Sequence, residues 1–263
     1  MEPILLGQTG LQAGRLGLGA AYGAPAAAFE EAFEKGCNYF YWTSRKPGMR
    51  AAIKNICRKG LRDRLIIAVQ SYARSAFLLE HSLNRALKAL SVDHADILLL
   101  GWHNKAPGNR LMEKAVSLKE KGVVRFLGMS GHNRSLFLEM NHNGVFDLFH
   151  VRYNAAHRGA ENETFPFLKQ ENNPGIVSYT ATRWGHLLKP KYMPPHETPP
   201  TASDCYRFAL THPAVHVCLC GPRNMDQIWT ALQALEQGPL DDEEMARMIR
   251  IGDHVHQTAG RFF

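Results

Sequence analysis

Short apolar runs rich in leucine and β-branched residues alternate with amphipathic helical patterns from one end of the chain to the other, and no other feature restricts the fold as strongly. Strand-like runs fall at 15–19, 38–42, 65–70, 95–100, 125–130, 146–152, 175–180 and 215–220. Strands separated by helical stretches pair in parallel through crossovers, which argues against bundles and sandwiches. Eight such units in 263 residues suit one (β/α)8 barrel, for which about 250 residues is typical. The chain therefore reads as α/β: a single (β/α)8 TIM barrel over residues 1–263, with an N-terminal β-hairpin and a C-terminal helix. The hairpin is Pro3–Leu11, turning at Gln8-Thr9-Gly10 and closing the bottom of the barrel. A doubly wound sheet would need a dinucleotide fingerprint. In Gly17-Leu18-Gly19-Ala20-Ala21-Tyr22-Gly23 the third glycine comes one residue late, and no suitably placed acid follows the next strand.

Helix ends carry their own signals. Ser75 precedes a stripe of Leu79, Leu83, Leu87 and Leu90, as an N-cap should. Gly36 and Gly122 stand where left-handed C-terminal caps are needed. Thr201 with Asp204, and Asp241 with Glu244, have the spacing of reciprocal capping boxes. The proline-rich stretch from Pro190 to Pro200 reads as a long loop after the seventh barrel strand.

Several function classes drop out on chemistry. No apolar run approaches the ~18 residues of a membrane span, and the N-terminus lacks a secretory pattern, so no membrane association and a cytoplasmic location are expected. Five scattered cysteines exclude a disulfide framework, and Cys218 and Cys220 read as small buried hydrophobes on one strand face. No metal is expected: H-E-x-x-H is absent, and His254 and His256 diverge on a helix. The net charge of +7 is local, because residues 45–64 hold eight basic residues against one acid. There Lys46, Arg50, Lys54 and Arg58 recur every four residues as a solvated helix face, with Arg45 and Lys46 nearest the barrel mouth. The stripe lacks the interleaved aromatics of a nucleic-acid surface, so no nucleic-acid partner is expected.

In a barrel of this kind the chemistry sits at the carboxyl ends of the strands. Those ends carry Tyr41 and Trp42, Gln70 and Tyr72, Trp102 and His103, Ser130, His150, Tyr179, Arg183 and Trp184, and then Gly221-Pro222-Arg223-Asn224. Aromatic and hydrogen-bonding groups converge there as in a small-molecule pocket. Gly221 ends the last strand and opens a helix whose first N–H groups, capped by Asn224 and supplemented by Arg223, suit phosphate.

Seven stretches resemble the aldo-keto reductase family in order and spacing: LGQTGLQAGRLGLG (6–19), FEKGCNYF (33–40), residues 79–100, LKEKGVVRFLGMSGHN (118–133), RYNAAHR (152–158), YTATRWGHL (179–187) and CGPRNMDQI (220–228). The resemblance implies a barrel that binds NADP (NADPH) across the strand ends and exchanges hydride with a small carbonyl or alcohol substrate. It also implies cofactor contacts from Ser130, Tyr179, Arg223, Asn224 and Gln227. The family's amide-binding asparagine falls on Gly131, its strand-six glutamine on His150, and an adenine-binding Glu-Asn pair on Thr230-Ala231.

The family's catalytic Asp, Tyr, Lys and His fall on Tyr41, Lys46, Gln70 and Gly101. A free tyrosine titrates near ~10, and the Lys–Asp pair is what lowers it in the family. The expectation is an oxidoreductase with a rebuilt acid-base site, using Tyr41 or Tyr72 as donor, Lys46 nearby and His103 as polariser. Trp42, Gln70, Trp102, Arg183 and Trp184 would then line the substrate pocket. The alternative is a catalytically inactive barrel that binds a nucleotide or small molecule as a sensor or interaction protein.

Overall fold

The computed structural model describes residues 1–43, 46–171 and 173–258. Eight parallel strands close a barrel: β3 (Leu16–Gly19), β4 (Tyr39–Trp42), β5 (Ile66–Ser71), β6 (Ala95–Leu100), β7 (Val124–Ser130), β8 (Leu148–Arg152), β9 (Gly175–Tyr179) and β10 (Val217–Cys220). Every sequence-predicted run contains one of them or differs by a residue at an end. Closure comes from β10 beside β3, with Cys218 opposite Leu16 and Cys220 opposite Leu18. The predicted hairpin is present as β1 (Ile4–Leu5) antiparallel to β2 (Gln12–Ala13). Buried Leu6 and Leu11 join the inward-facing Ile66, Ile97, Leu148 and Val217 at the base.

Helices form the outer ring: α1 (Ala26–Glu34), α2 (Pro47–Arg58), α3 (Ala76–Leu90), α4 (Asn109–Glu120), α5 (Arg134–His142), α6 (Ala160–Glu163), α7 (Phe165–Glu171), α8 (Ala202–Thr211), α9 (Met225–Gln237) and α10 (Asp242–Thr258). Their ends follow the sequence signals. Ser75 accepts from the Leu78 N–H, Thr201 and Asp204 bond reciprocally, and so do Asp241 and Glu244. Gly36 and Gly122 have φ of +92° and +71°, as left-handed caps require. Within 190–200 the chain is not irregular throughout, since Pro190–Tyr192 forms a 3-10 turn. Arg50 and Arg58 lie exposed on the outer face of α2, and Arg45 is outside the described residues.

Along each barrel strand, alternate side chains point inward. The large Tyr39 is accommodated because small residues oppose it. A Cβ on Gly17 would lie 2.7 Å from Leu219 Cδ2 and 3.1 Å from Tyr39, so the interior has no room for one. Outside the barrel wall, Asp96 is buried and joins three elements. Its carboxylate accepts from the Ile67 N–H at 2.8 Å, from Arg125 at 3.0 Å and from Arg62 at 3.0 Å. Asp96→Ala leaves a buried strand N–H and two guanidinium groups without their acceptor, and is expected to cost about 3 kcal/mol. Asp96→Asn, which keeps an acceptor for Ile67, should cost less; denaturant unfolding of both variants measures the difference.

Candidate active site at the carboxyl mouth of the barrel

The floor of the mouth is a hydrogen bond that crosses the barrel. Tyr39 on β4 and His150 on β8 sit on opposite walls, and the Tyr39 hydroxyl lies 2.8 Å from His150 Nε2. Both side chains are fully enclosed. Tyr41, the next inward residue of β4, packs over the imidazole with ring centroids 5.1 Å apart. Burial pushes the His150 pKa down to about 3, so the ring stays neutral. His150, one of the cofactor contacts expected from the sequence, lies buried beneath Tyr41 with Nε2 against the Tyr39 hydroxyl.

Above this floor, Gln70 near the end of β5 faces inward, and its amide covers Gly101. A Cβ at 101 would lie 2.1 Å from Gln70 Nε2. Gln70 Oε1 is buried without a hydrogen-bond partner, an unmet acceptor within the mouth. Tyr72 leans over from the β5–α3 loop, 56% exposed and 6.4 Å from Trp102 between ring centroids. Burial raises the Tyr41 hydroxyl far above the ordinary tyrosine range, with Tyr72, Tyr39 and Tyr179 adding to it. Tyr72 is also raised by burial, while its hydrogen bond with Tyr41 acts the other way.

Arg74, which the sequence reading missed, clasps this rim. Its guanidinium donates to the carbonyls of Tyr72, Ala73 and Trp102, and to His103 Nε2 at 3.3 Å. Burial and then Arg74 lower the His103 pKa to about 4. With Nε2 accepting from Arg74, that nitrogen is not free to polarise a substrate, and Arg74 carries the positive charge at this position. Trp102 is held at φ +60° by the Arg74 contact and by its N–H donating to Ser130 Oγ at 3.2 Å. Thr180, Arg183 and Trp184 also have positive φ. Left-handed backbone at non-glycine residues thus gathers in the mouth loops, as strain often does at functional sites.

On the opposite side, Arg152 is the last residue of β8 and shares the inward face of His150. With Gly131, His132, Arg134, Phe137 and Val151 it lines a recess of about 10 Å³. The Tyr179 hydroxyl donates to the Gly131 carbonyl at 3.2 Å. Arg152 was legible in principle from the two-residue period Leu148–His150–Arg152; a loop arginine such as Arg74 gives no periodic signal.

Two expected pocket residues and one expected catalytic residue, Lys46, lie elsewhere. Trp42 points outward from β4 into the helix layer, because its neighbours Tyr39 and Tyr41 take the inward positions. Arg183 is buried against α10, where its guanidinium donates to the Val255 carbonyl. Lys46 caps the start of α2, exposed, with its stem beside Gly23. It is not among the groups that shift either phenol. Trp102 and Trp184 are 60% and 45% exposed on mouth loops. Gly221 packs under the Tyr22 ring. Asn224 caps α9 by accepting from the Gln227 N–H at 3.0 Å, Gln227 Oε1 accepts from the Arg223 N–H, and the Arg223 side chain is exposed beside that helix start.

A family model described as the aldo/keto reductase family matches residues 26–204, more than half of the chain. The protein belongs to the aldo-keto reductase family. Among solved structures, the holo form of aldo-keto reductase AKR11C1 from Bacillus halodurans matches with TM-score 0.78 and 21% identity, covering 95% of this chain and 96% of that one. Its apo form matches with TM-score 0.78 and 22% identity over the same shares. A search of curated proteins finds no matching sequence. The family's cofactors are NAD(P)H, and the residues present can be compared with what such a dinucleotide needs. At the phosphate end, the Arg223 side chain is exposed beside the start of α9, where Asn224 and Gln227 already accept from the Gln227 and Arg223 N–H groups. At the other end Ser130 and Tyr179 remain, and Gln70 Oε1 is an acceptor in want of a donor. An asparagine at 131 does not fit, because a Cβ there would lie 2.0 Å from the His103 carbonyl oxygen.

No helix among the described residues is long and apolar enough to cross a membrane, and no cluster of three or more His, Cys, Asp or Glu among them is arranged to hold a metal.

Two titration behaviours follow. His150 binds no proton in the native state until the pH approaches 3, whereas the unfolded chain takes one up below about 6.5. This group therefore lowers stability by up to about 1.4 kcal/mol per pH unit as the pH falls through that window. His150→Gln should flatten the acid limb by that slope in urea titrations between pH 4 and 6. Arg74→Ala removes the guanidinium that depresses His103, so its pKa should rise from about 4 when followed by NMR.

Proposed function

We propose that the protein is an NADP-dependent oxidoreductase that reduces a small carbonyl compound, with a phenol of different origin in place of the family's usual proton donor. The observation that carries this reading is Tyr72: an exposed phenol at the rim, in contact with Tyr41 and packed near Trp102. The dinucleotide would lie across the mouth, with its phosphates at Arg223 and the start of α9 and its nicotinamide near Ser130 and Tyr179. When bound it supplies hydride. Tyr72 holds the proton destined for the substrate oxygen and regains one from solvent, to which it is open. Tyr41 orients that hydroxyl from below. Arg74 polarises the mouth as a fixed cation, and Trp102 with Trp184 covers the reacting group from water.

The altered acid-base set has a direction. With its pKa raised by burial, Tyr72 stays protonated through neutral pH. It is suited to giving a proton in reduction and poorly suited to accepting one in alcohol oxidation. Reductase activity should be flat with pH through neutrality, while alcohol oxidation should still be climbing at the highest pH the fold survives. Tyr72→Phe should lower kcat of reduction by about 10²–10⁴ while leaving NADPH affinity, read by fluorescence titration, largely unchanged.

A second reading draws on the Gln70 amide lying over Gly101, at two of the positions where the family places catalytic groups. On that reading the barrel binds a nucleotide or small molecule without turnover. Tight NADPH binding with no reduction across a panel of aldehydes and ketones, and no effect of Tyr72→Phe, would select it. Failure to bind either NADPH or NADH would remove the oxidoreductase reading.

A further inference from the structure

We infer that Gln70 is a catalytic residue: its Nε2 donates to the substrate carbonyl oxygen beside Tyr72 and takes the polarising role that His103 cannot fill. This deepens the oxidoreductase reading, and it rests on that reading for the claim that the bound carbonyl is reduced. Polarisation of a bound carbonyl itself requires no turnover.

The placement of the amide comes first. Gln70 follows Ile66 and Ala68 along the inward face of β5. It pairs with Leu99 of β6, and the Gly101 N–H donates to the Ser71 carbonyl at 2.8 Å. Gly101 is thereby set between Gln70 and Tyr72, and it offers no side chain of its own. A Cβ there would lie 2.1 Å from Gln70 Nε2, 2.9 Å from Cδ and 3.0 Å from Cγ, so the amide fills the volume that a side chain at 101 would take. Gln70 is partly exposed while its Oε1 is enclosed, which leaves Nε2 as the end that meets the mouth. Among the described residues Oε1 has no donor and Nε2 has no acceptor. An amide kept unmet at the end of a barrel strand costs stability, and such groups are retained where a ligand completes them.

Other donors around the mouth are committed. Arg74 gives Nη1 to the Tyr72 and Ala73 carbonyls and to His103 Nε2, and Nη2 to the Trp102 carbonyl. Trp102 Nε1 donates to His132 Nε2, and the Tyr179 hydroxyl donates to the Gly131 carbonyl. Burial is the main cause that raises both Tyr41 and Tyr72, and the hydrogen bond they share raises Tyr41 further while lowering Tyr72. That is the pattern of Tyr41 as donor and Tyr72 as acceptor. Of these side chains, Tyr72 keeps its proton for a ligand and Gln70 keeps both protons of Nε2. Residues i and i+2 of an extended chain stand about 7 Å apart, which suits two donors converging on one oxygen from about 3 Å each. The pair lies on β5 and its loop, directly across the barrel from β9 and Tyr179, so it faces the side assigned above to the nicotinamide.

The chemistry balances without a proton from Gln70. As the carbonyl carbon gains hydride and the reduced nicotinamide is oxidised, the C=O π pair passes to oxygen. That oxygen takes the Tyr72 proton, and the phenolate regains one from solvent. The Gln70 hydrogen bond strengthens as negative charge grows on the oxygen, which is the condition for lowering the barrier rather than only binding the substrate.

Two readouts on the full-length protein test this role. The absorption band of 4-(dimethylamino)benzaldehyde moves to the red when its carbonyl oxygen is polarised, with or without turnover. The unsubstituted protein should produce that shift on binding, and Gln70→Met, which keeps the side-chain length and removes the donor, should largely lose it. In NADPH-dependent reduction of benzaldehyde, Gln70→Met should lower kcat by about 10²–10³ with KM within about threefold. Gln70→Glu, which is isosteric and cannot donate when ionised, should be at least as slow, whereas a space-filling role would be met by either variant; it also serves if the first does not fold. An unchanged red shift or an unchanged kcat in Gln70→Met overturns the assignment, as does absence of the shift in the unsubstituted protein. So does a loss of NADPH affinity as large as the loss in kcat, because the amide then serves the dinucleotide. A red shift that Gln70→Met removes, with no aldehyde reduced, leaves Gln70 as the donor to the carbonyl and removes the oxidoreductase reading.

Discussion

The hydrogen bond between Tyr39 and His150 determines what the rest of the mouth can be. It joins opposite walls of a closed barrel, so the two side chains together occupy the cross-section and turn a channel into a floor. Its members are polar and fully buried, a placement that costs free energy unless each satisfies the other. Tyr39 packs beside Gly17, where Leu219, Val217 and Tyr39 leave no room for a side chain, and the pair supports the Tyr41 ring from below. Tyr41 in turn contacts Tyr72, so the exposed phenol at the rim stands on a stack that begins at the barrel centre.

Above that floor the mouth divides by chemistry. One side is aromatic and clasped by Arg74, which holds Tyr72, Trp102 and His103 through four acceptors. The other side carries Arg152, His132 and Arg134, the last paired with Glu163. The indole of Trp102 and the imidazole of His132 join the two. Histidines in this environment are kept neutral by burial and by nearby arginines. Fixed positive charge at the site therefore comes from guanidinium groups, which do not titrate in the working range.

The barrel and its mouth are held by different residues. Asp96, the helix caps and the leucine stripes lie on the outer wall and the helix layer, away from the strand ends.

Strand positions, helix caps and the hairpin were legible because each rests on local chemistry: period-two burial, a capping side chain, a glycine with positive φ. The same two-residue period, had it been applied along β4, separates inward Tyr41 from outward Trp42. The sequence could not show that Arg183 is spent on a carbonyl of α10, or that Arg74 reaches the loop after β6. These are contacts between segments distant along the chain, and a side chain's partner across a loop has no periodicity to reveal it. By itself the sequence determined a (β/α)8 barrel and the strand ends that surround its mouth, because backbone geometry converts spacing into position. Only the tertiary structure decided which of those residues are buried, paired or open. Those states depend on what the opposite wall and the neighbouring loops place against each side chain.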